Sequence, residues 1–103
     1  MTKPARFEPE AEEELVAAVS WYQAQRPGLG TELMDATQEA LRRIIQAPVV
    51  LGLVPGVSSS LGVRRCVLQR FPYSLVFLEL PGEIRILAVA HQRRRPGYWR
   101  SRL

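Results

Sequence analysis

Cysteine and histidine are nearly missing from this chain: its 103 residues include one of each, Cys66 and His91. A lone cysteine forms no internal disulfide, which fits a reducing compartment and sets the expectation of a cytoplasmic protein. Cys66 lies in an alternating β-like run, where a half-buried thiol is a simpler reading than a nucleophile. One histidine with one cysteine cannot build a zinc site of the usual kind, so no metal is expected. The single aspartate, Asp35, sits within a helical pattern, and no Ser–His–Asp arrangement is visible. Neither GxxxxGK[ST] nor GxGxxG occurs, so no nucleotide cofactor is expected. Long apolar runs are absent as well. The longest, Ala47 to Val57, is cut by Pro48 and Pro55 and is too short to span a bilayer. Met1 to Glu14 is polar, without the apolar stretch of a secretory leader.

Lysine is the most telling scarcity, because Lys3 is the only one. The charge is also unevenly spread. Residues 1–60 carry −3, whereas residues 61–103 carry +7, made of nine arginines against Glu79 and Glu83 alone. Arginine is a rigid fork of donors matched to carboxylate and phosphate, while lysine is a flexible point charge. An all-arginine basic half therefore points to an acidic macromolecular partner: nucleic acid, a nucleic-acid machine or an acidic protein segment.

The length allows one domain over residues 1–103 with one hydrophobic core, and 47% apolar residues with 23% charged argue against disorder. Pro4 to Phe7 reads as a short edge strand. Pro9 suits a first helical turn, and Glu10, Glu12, Glu13 and Glu14 place negative charge at the positive end of the helix dipole. Ala11, Leu15, Ala18, Val19 and Tyr22 then recur at helical spacing up to the stop at Arg26-Pro27-Gly28. A second apolar stripe runs through Leu29, Leu33, Thr37, Ala40, Leu41, Ile44 and Ile45 to Ala47-Pro48, and the short link makes the pair an αα-hairpin. Residues 48–62, with two prolines, three glycines and three serines, read as a loop. Val63–Phe71, Tyr73–Leu80 and Ile84–Ala90 follow as a meander broken at Pro72 and Pro81-Gly82. The expected fold is α+β, a helical hairpin packed on a small antiparallel sheet of three to four strands.

Four segments in this order carry a family resemblance. They are Phe7-Glu8-Pro9-Glu10-Ala11-Glu12-Glu13-Glu14-Leu15; Trp21-Tyr22-Gln23 with Arg26-Pro27-Gly28-Leu29-Gly30; Arg70-Phe71-Pro72-Tyr73; and Ala88 to Trp99. Together they make the chain resemble the RelE/ParE superfamily of toxins from type II toxin–antitoxin systems, over nearly its whole length. The resemblance implies a growth-inhibiting toxin neutralised by a cognate antitoxin, with plasmid stabilisation among the roles of such pairs. It leaves two targets. RelE-like members cleave mRNA in the ribosomal A site; ParE-like members poison DNA gyrase and are not nucleases. The missing lysines and the Arg-Phe-Pro-Tyr and Arg-Pro-Gly-Tyr-Trp segments favour the ParE-like branch. A third implied alternative is a homologue without toxicity that serves as an antitoxin-binding module.

Candidate site residues follow from both arguments. RNA cleavage needs a base for the ribose 2′-OH, cations for the charged phosphorane and an acid for the leaving oxygen. His91, Arg93, Arg94 and Tyr98 are the candidate catalytic set for a RelE-like chain, with Glu79 or Glu83 as carboxylates. The plainer alternative for His91 is a strand-end histidine hydrogen-bonded locally. Arg64, Arg65, Arg70, Arg93, Arg94, Arg95 and Trp99 are candidate target- or phosphate-binding residues. Arg64 and Arg70 are expected on one face of one strand, where Glu79 is an alternative partner. Tyr98 and Trp99 read as aromatics folded back over the sheet, and Trp21 with Tyr22 as core. Val49, Val50, Leu51, Leu53 and Val54 form an apolar loop expected to contact the antitoxin, together with the outer side of the helical hairpin.

Overall fold

In the computed structural model, which describes residues 2–103, each helix forms where the apolar spacing placed it. Strand β1 (Ala5–Phe7) leads directly into α1 (Pro9–Gln25), with Pro9 in the first turn. Helix α2 (Leu29–Gln46) follows after a three-residue turn. Gly28 adopts the left-handed conformation at the start of α2, with φ of 92°, a backbone state that glycine adopts without strain. The Gln23 side-chain oxygen accepts from the N–H groups of both Gly28 and Gly30, closing the turn. Gly30 also lies where the two helices approach closely, since a Cβ there would sit 2.9 Å from the Val19 carbonyl oxygen. Leu33, Thr37, Ala40 and Ile44 form the buried stripe of α2, and the Thr37 hydroxyl is satisfied by the Leu33 carbonyl.

Strands β2 (Arg64–Val67), β3 (Tyr73–Glu79) and β4 (Ile84–His91) form the antiparallel meander. The strand order is β1-β4-β3-β2, and β1 joins parallel to β4 rather than antiparallel. The α+β hairpin-on-sheet arrangement is as expected; the fourth strand makes the sheet mixed. The helical hairpin lies between β1 and the meander in the chain, so β1 reaches the sheet as a separate edge, pairing Ala5 with Ile84 and Phe7 with Ile86.

A β-bulge between Val76 and Phe77 sets two residues of β4, Ile86 and Ala88, opposite consecutive residues of β3, leaving Leu87 as the extra residue. It lets Ile84, Ile86 and Val89 pack under the helices while Leu87 and Ala88 pack on the other side. The sheet is thus covered on both faces. The helix-side core joins Leu33, Ile44, Leu75, Phe77, Ile84 and Ile86. The outer core joins Val54, Val63, Val76, Leu87, Ala88 and Trp99, with the C-terminal segment supplying the cover.

Three sequence expectations are corrected here. β2 ends at Val67, and Arg70 lies beyond it in a turn with φ of 70°, so Arg64 and Arg70 do not share a strand face. Trp21 is not core: it is 59% exposed, and only Tyr22 packs inward, edge-on to Phe71 and Tyr73. Residues 48–62 are not plain loop, since they hold 3-10 turns at Pro48–Val50 and Ser59–Leu61 and pair Leu53 with Arg64 along the β2 edge.

Candidate functional site

The outer face of the sheet carries the chemistry. Beyond Phe7, β1 no longer borders β4, which leaves the Leu87 carbonyl and Val89 N–H without strand partners. Side chains take their place. The Glu14 carboxylate, from α1, accepts from the Val89 N–H at 3.0 Å, and the Arg102 guanidinium donates to the Leu87 carbonyl at 2.9 Å. Glu14 also accepts from the Tyr98 hydroxyl at 2.7 Å and from Arg102 at 2.9 and 3.1 Å. One half-buried carboxylate thus ties the C-terminal segment to α1 and β4. Burial alone would raise its pKa, but the bonds from Arg102, Tyr98 and Val89 outweigh that and hold it below the ordinary carboxylate range. Burial and the bond to Glu14 push the Tyr98 phenol well above its usual range. Arg85 adds a second tie, donating to Glu8 and to the Arg102 carbonyl, both at 2.6 Å.

These ties place the segment from Gln92 to Trp99 along one side of a cleft of roughly 370 Å³. Its floor is Val67, Ser74, Val76 and Ala90, its far wall Val54 and Pro55. Arg65 stands on the floor side and Arg94 and Arg95 on the near wall. Arg94 stacks on the Tyr98 ring with its guanidinium carbon 3.9 Å from the centroid. His91 lies half-buried at the cleft's end, edge-on to Tyr73 at 5.0 Å, with its Nδ1 accepting from the Arg93 N–H at 3.1 Å.

The nine C-terminal arginines divide sharply. Arg70 is bonded to Glu32, Arg85 to Glu8 and Arg102 to Glu14, while Arg64 donates to the Leu51 carbonyl. The bond to Arg70 holds the Glu32 carboxyl below its usual range. Among the described residues no carboxylate pairs with Arg65, Arg93, Arg94, Arg95 or Arg100, and all five are exposed. Arg64 and Arg70 are thus engaged within the fold, whereas Arg65, Arg93, Arg94, Arg95 and Arg100 have no carboxylate partner among the described residues. Trp99 is not among the exposed residues: at 1% exposure it is part of the outer core, as the alternative reading of the aromatics had it. Glu79 pairs with Lys3 and Glu83 with Arg6 at the opposite end of the sheet, since Glu79 faces Ile84 while Tyr73 faces His91. The separation along β3 is about 20 Å, too far for either carboxylate to act with His91.

The apolar loop also splits. Val49 and Val50 are 64% and 76% exposed and Leu53 is 40% exposed, whereas Leu51 packs on the helix-side core and Val54 is buried in the outer one. Val16 on α1 is 59% exposed, like Trp21, so the hairpin adds apolar surface of its own. Cys66 is buried, and burial raises its thiol pKa, so its packing is that of a small hydrophobe. Among the described residues no cluster of His, Cys, Asp and Glu could hold a metal ion, and no helix is long and apolar enough to cross a membrane.

Sequence reading missed Glu14 and Arg102. Glu14 looked like one more acidic residue of the first helical turns. Its position three residues after Ala11 and four before Ala18, both buried, is the signal that places it on the inner face.

A family model described as "ParE toxin of type II toxin-antitoxin system, parDE" matches residues 5–96. A solved structure titled "Chromosomal ParDE TA system from P. aeruginosa" superposes with a TM-score of 0.72 at 22% identity, covering 86% of this chain and 95% of that one. No curated protein matches the chain.

Proposed function

Because the chain belongs to the ParE toxin family of type II toxin–antitoxin systems, we propose that it arrests growth by binding and poisoning DNA gyrase. A cognate antitoxin, which family membership implies, holds it inactive. The observation that carries this reading is the unassembled state of the cleavage chemistry. The Tyr98 hydroxyl is held by Glu14, His91 receives the Arg93 N–H on one ring nitrogen, and Glu79 and Glu83 are paired elsewhere. A ribonuclease needs an acid and a base converging on one phosphate. What converges here is a set of exposed arginines beside an apolar cleft, which is the make-up of a binding surface.

The direct experiment induces the toxin alone in a bacterial host and follows labelled thymidine and methionine incorporation over the first minutes. Thymidine incorporation is expected to fall first, and the His91→Ala variant is expected to keep most of its toxicity. If methionine incorporation falls first and His91→Ala loses toxicity, the ribosome is the target and the gyrase reading is wrong. If neither label falls in the wild type while antitoxin binding persists, the chain is an antitoxin-binding module without toxicity.

The antitoxin contact is proposed at Val49, Val50 and Leu53, exposed apolar side chains close together in one loop, with Val16 and Trp21 of the hairpin as further exposed apolar surface, because removing such surface from water is favourable. Amide hydrogen exchange across residues 48–57 is expected to slow in the toxin–antitoxin complex. Equal protection in free and bound toxin would remove this contact from the proposal.

A further inference from the structure

We propose that the outer-face cleft is a docking site for an acidic, extended segment of a partner protein carrying at least one large apolar side chain. This deepens the gyrase reading, since it rests on the arginine face engaging protein rather than RNA. Three guanidinium groups with no carboxylate partner among the described residues, Arg65, Arg94 and Arg95, line one cleft whose floor is apolar at Val67, Val76 and Ala90. Val67, the last residue of the edge strand β2, is 45% exposed and adds open apolar surface to this floor. Arginine forks fit carboxylates in pairs, while the floor fits a hydrocarbon side chain, so one ligand must offer both along its length. Ser74, on the floor, has no side-chain hydrogen bond within the protein among the described residues and can meet a peptide backbone group.

Two further observations narrow the mode and the class. The outer edge of β2 is already occupied, by the Arg65 N–H on the Gly52 carbonyl, the Val54 N–H on the Val63 carbonyl, and Arg43 on the Val67 carbonyl. The segment therefore lies across the sheet face instead of adding a strand. Single-stranded nucleic acid needs open aromatic faces on which bases stack. Here Trp99 is buried and the Tyr98 ring is covered by Arg94, so the cleft has the charge for nucleic acid without its stacking platform.

The test uses fluorescence anisotropy with a fluorescein-labelled peptide of about ten residues alternating glutamate and leucine, a length matched to an extended segment across a sheet face. Micromolar binding is expected, weakened about tenfold or more by R65E and by R94E, and equally by replacing the leucines with serine. R42E, at an arginine paired with Glu39 on α2, should bind as the wild type does. Thermal melts of each variant confirm that these exposed substitutions leave the fold intact. Unchanged affinity in both R65E and R94E overturns the proposal, as does equal binding of the serine peptide. Tighter binding of an oligothymidylate, lost in the same variants, assigns the cleft to nucleic acid and overturns it too. A supercoiling assay with purified gyrase separates the two readings. Gyrase inhibition without peptide binding sinks the cleft proposal alone; peptide binding without gyrase inhibition sinks the gyrase reading alone.

Discussion

Trp99→Ala is expected to cost about 3–5 kcal/mol of stability, the range for emptying the site of a fully buried large aromatic. Trp99 is 1% exposed and is the largest buried side chain, although it stands four residues from the end of the chain. With Val54 and Val63 it packs against Val76, Leu87 and Ala88 on the outer side of the sheet, so its loss opens that layer. A domain of this size is held by roughly 5–15 kcal/mol, and each kcal/mol moves the midpoint of a 100-residue domain by about 4–8 °C. A thermal melt is therefore expected to show a fall of about 15 °C or more. Trp99→Phe, which keeps most of the apolar volume, should recover part of it. A shift of only a few degrees for the alanine variant would mean that the C-terminal segment is an appendage. The ties from Glu14 to Tyr98 and Arg102 would then be surface contacts with little effect.

Reversing Arg93, Arg94 and Arg95 together to glutamate should abolish growth arrest while leaving the melting temperature within a few degrees. None of the three pairs with a carboxylate among the described residues, and all are exposed, so the fold asks little of their charge. A target surface would feel the change fully, because three attractions become three repulsions; a loss of about a hundredfold or more in target affinity is expected. Colony counts after induction measure it. Arg70→Gln is the matched control: Arg70 is bonded to Glu32 at the end of the helical hairpin, away from the cleft, and toxicity should survive its loss. Full toxicity in the triple variant would strike the arginine face from the mechanism. Toxicity lost in both variants would point instead to a general effect of net charge.

Arg70 and Trp99 also show where reading along the chain stopped. The arginine excess after residue 61 was visible from composition, but which of the nine are free was not. A guanidinium is neutralised by whatever carboxylate the fold brings near, and Arg70–Glu32, Arg85–Glu8 and Arg102–Glu14 join residues separated by at least 38 positions. Strand periodicity suggested that Arg64 and Arg70 share a face, but β2 ends at Val67 and the chain has turned by Arg70, whose own φ is left-handed. Trp21 illustrates the reverse error, since a large aromatic at helical spacing looked like core and faces solvent instead.

By itself the sequence determined the two helices, the three-stranded meander, the basic C-terminal half and the family resemblance, because each depends on residues close in the chain: spacing of apolar side chains, proline and glycine stops, and runs of like charge. The tertiary structure alone decided the parallel pairing of β1 with β4, the bulge at Leu87, the clamp built on Glu14 and which five arginines have no carboxylate partner among the described residues. Each of these is a meeting of groups tens of residues apart. Their energy depends on which strand edge is left open and which charge lies across the gap, and local spacing carries no record of either.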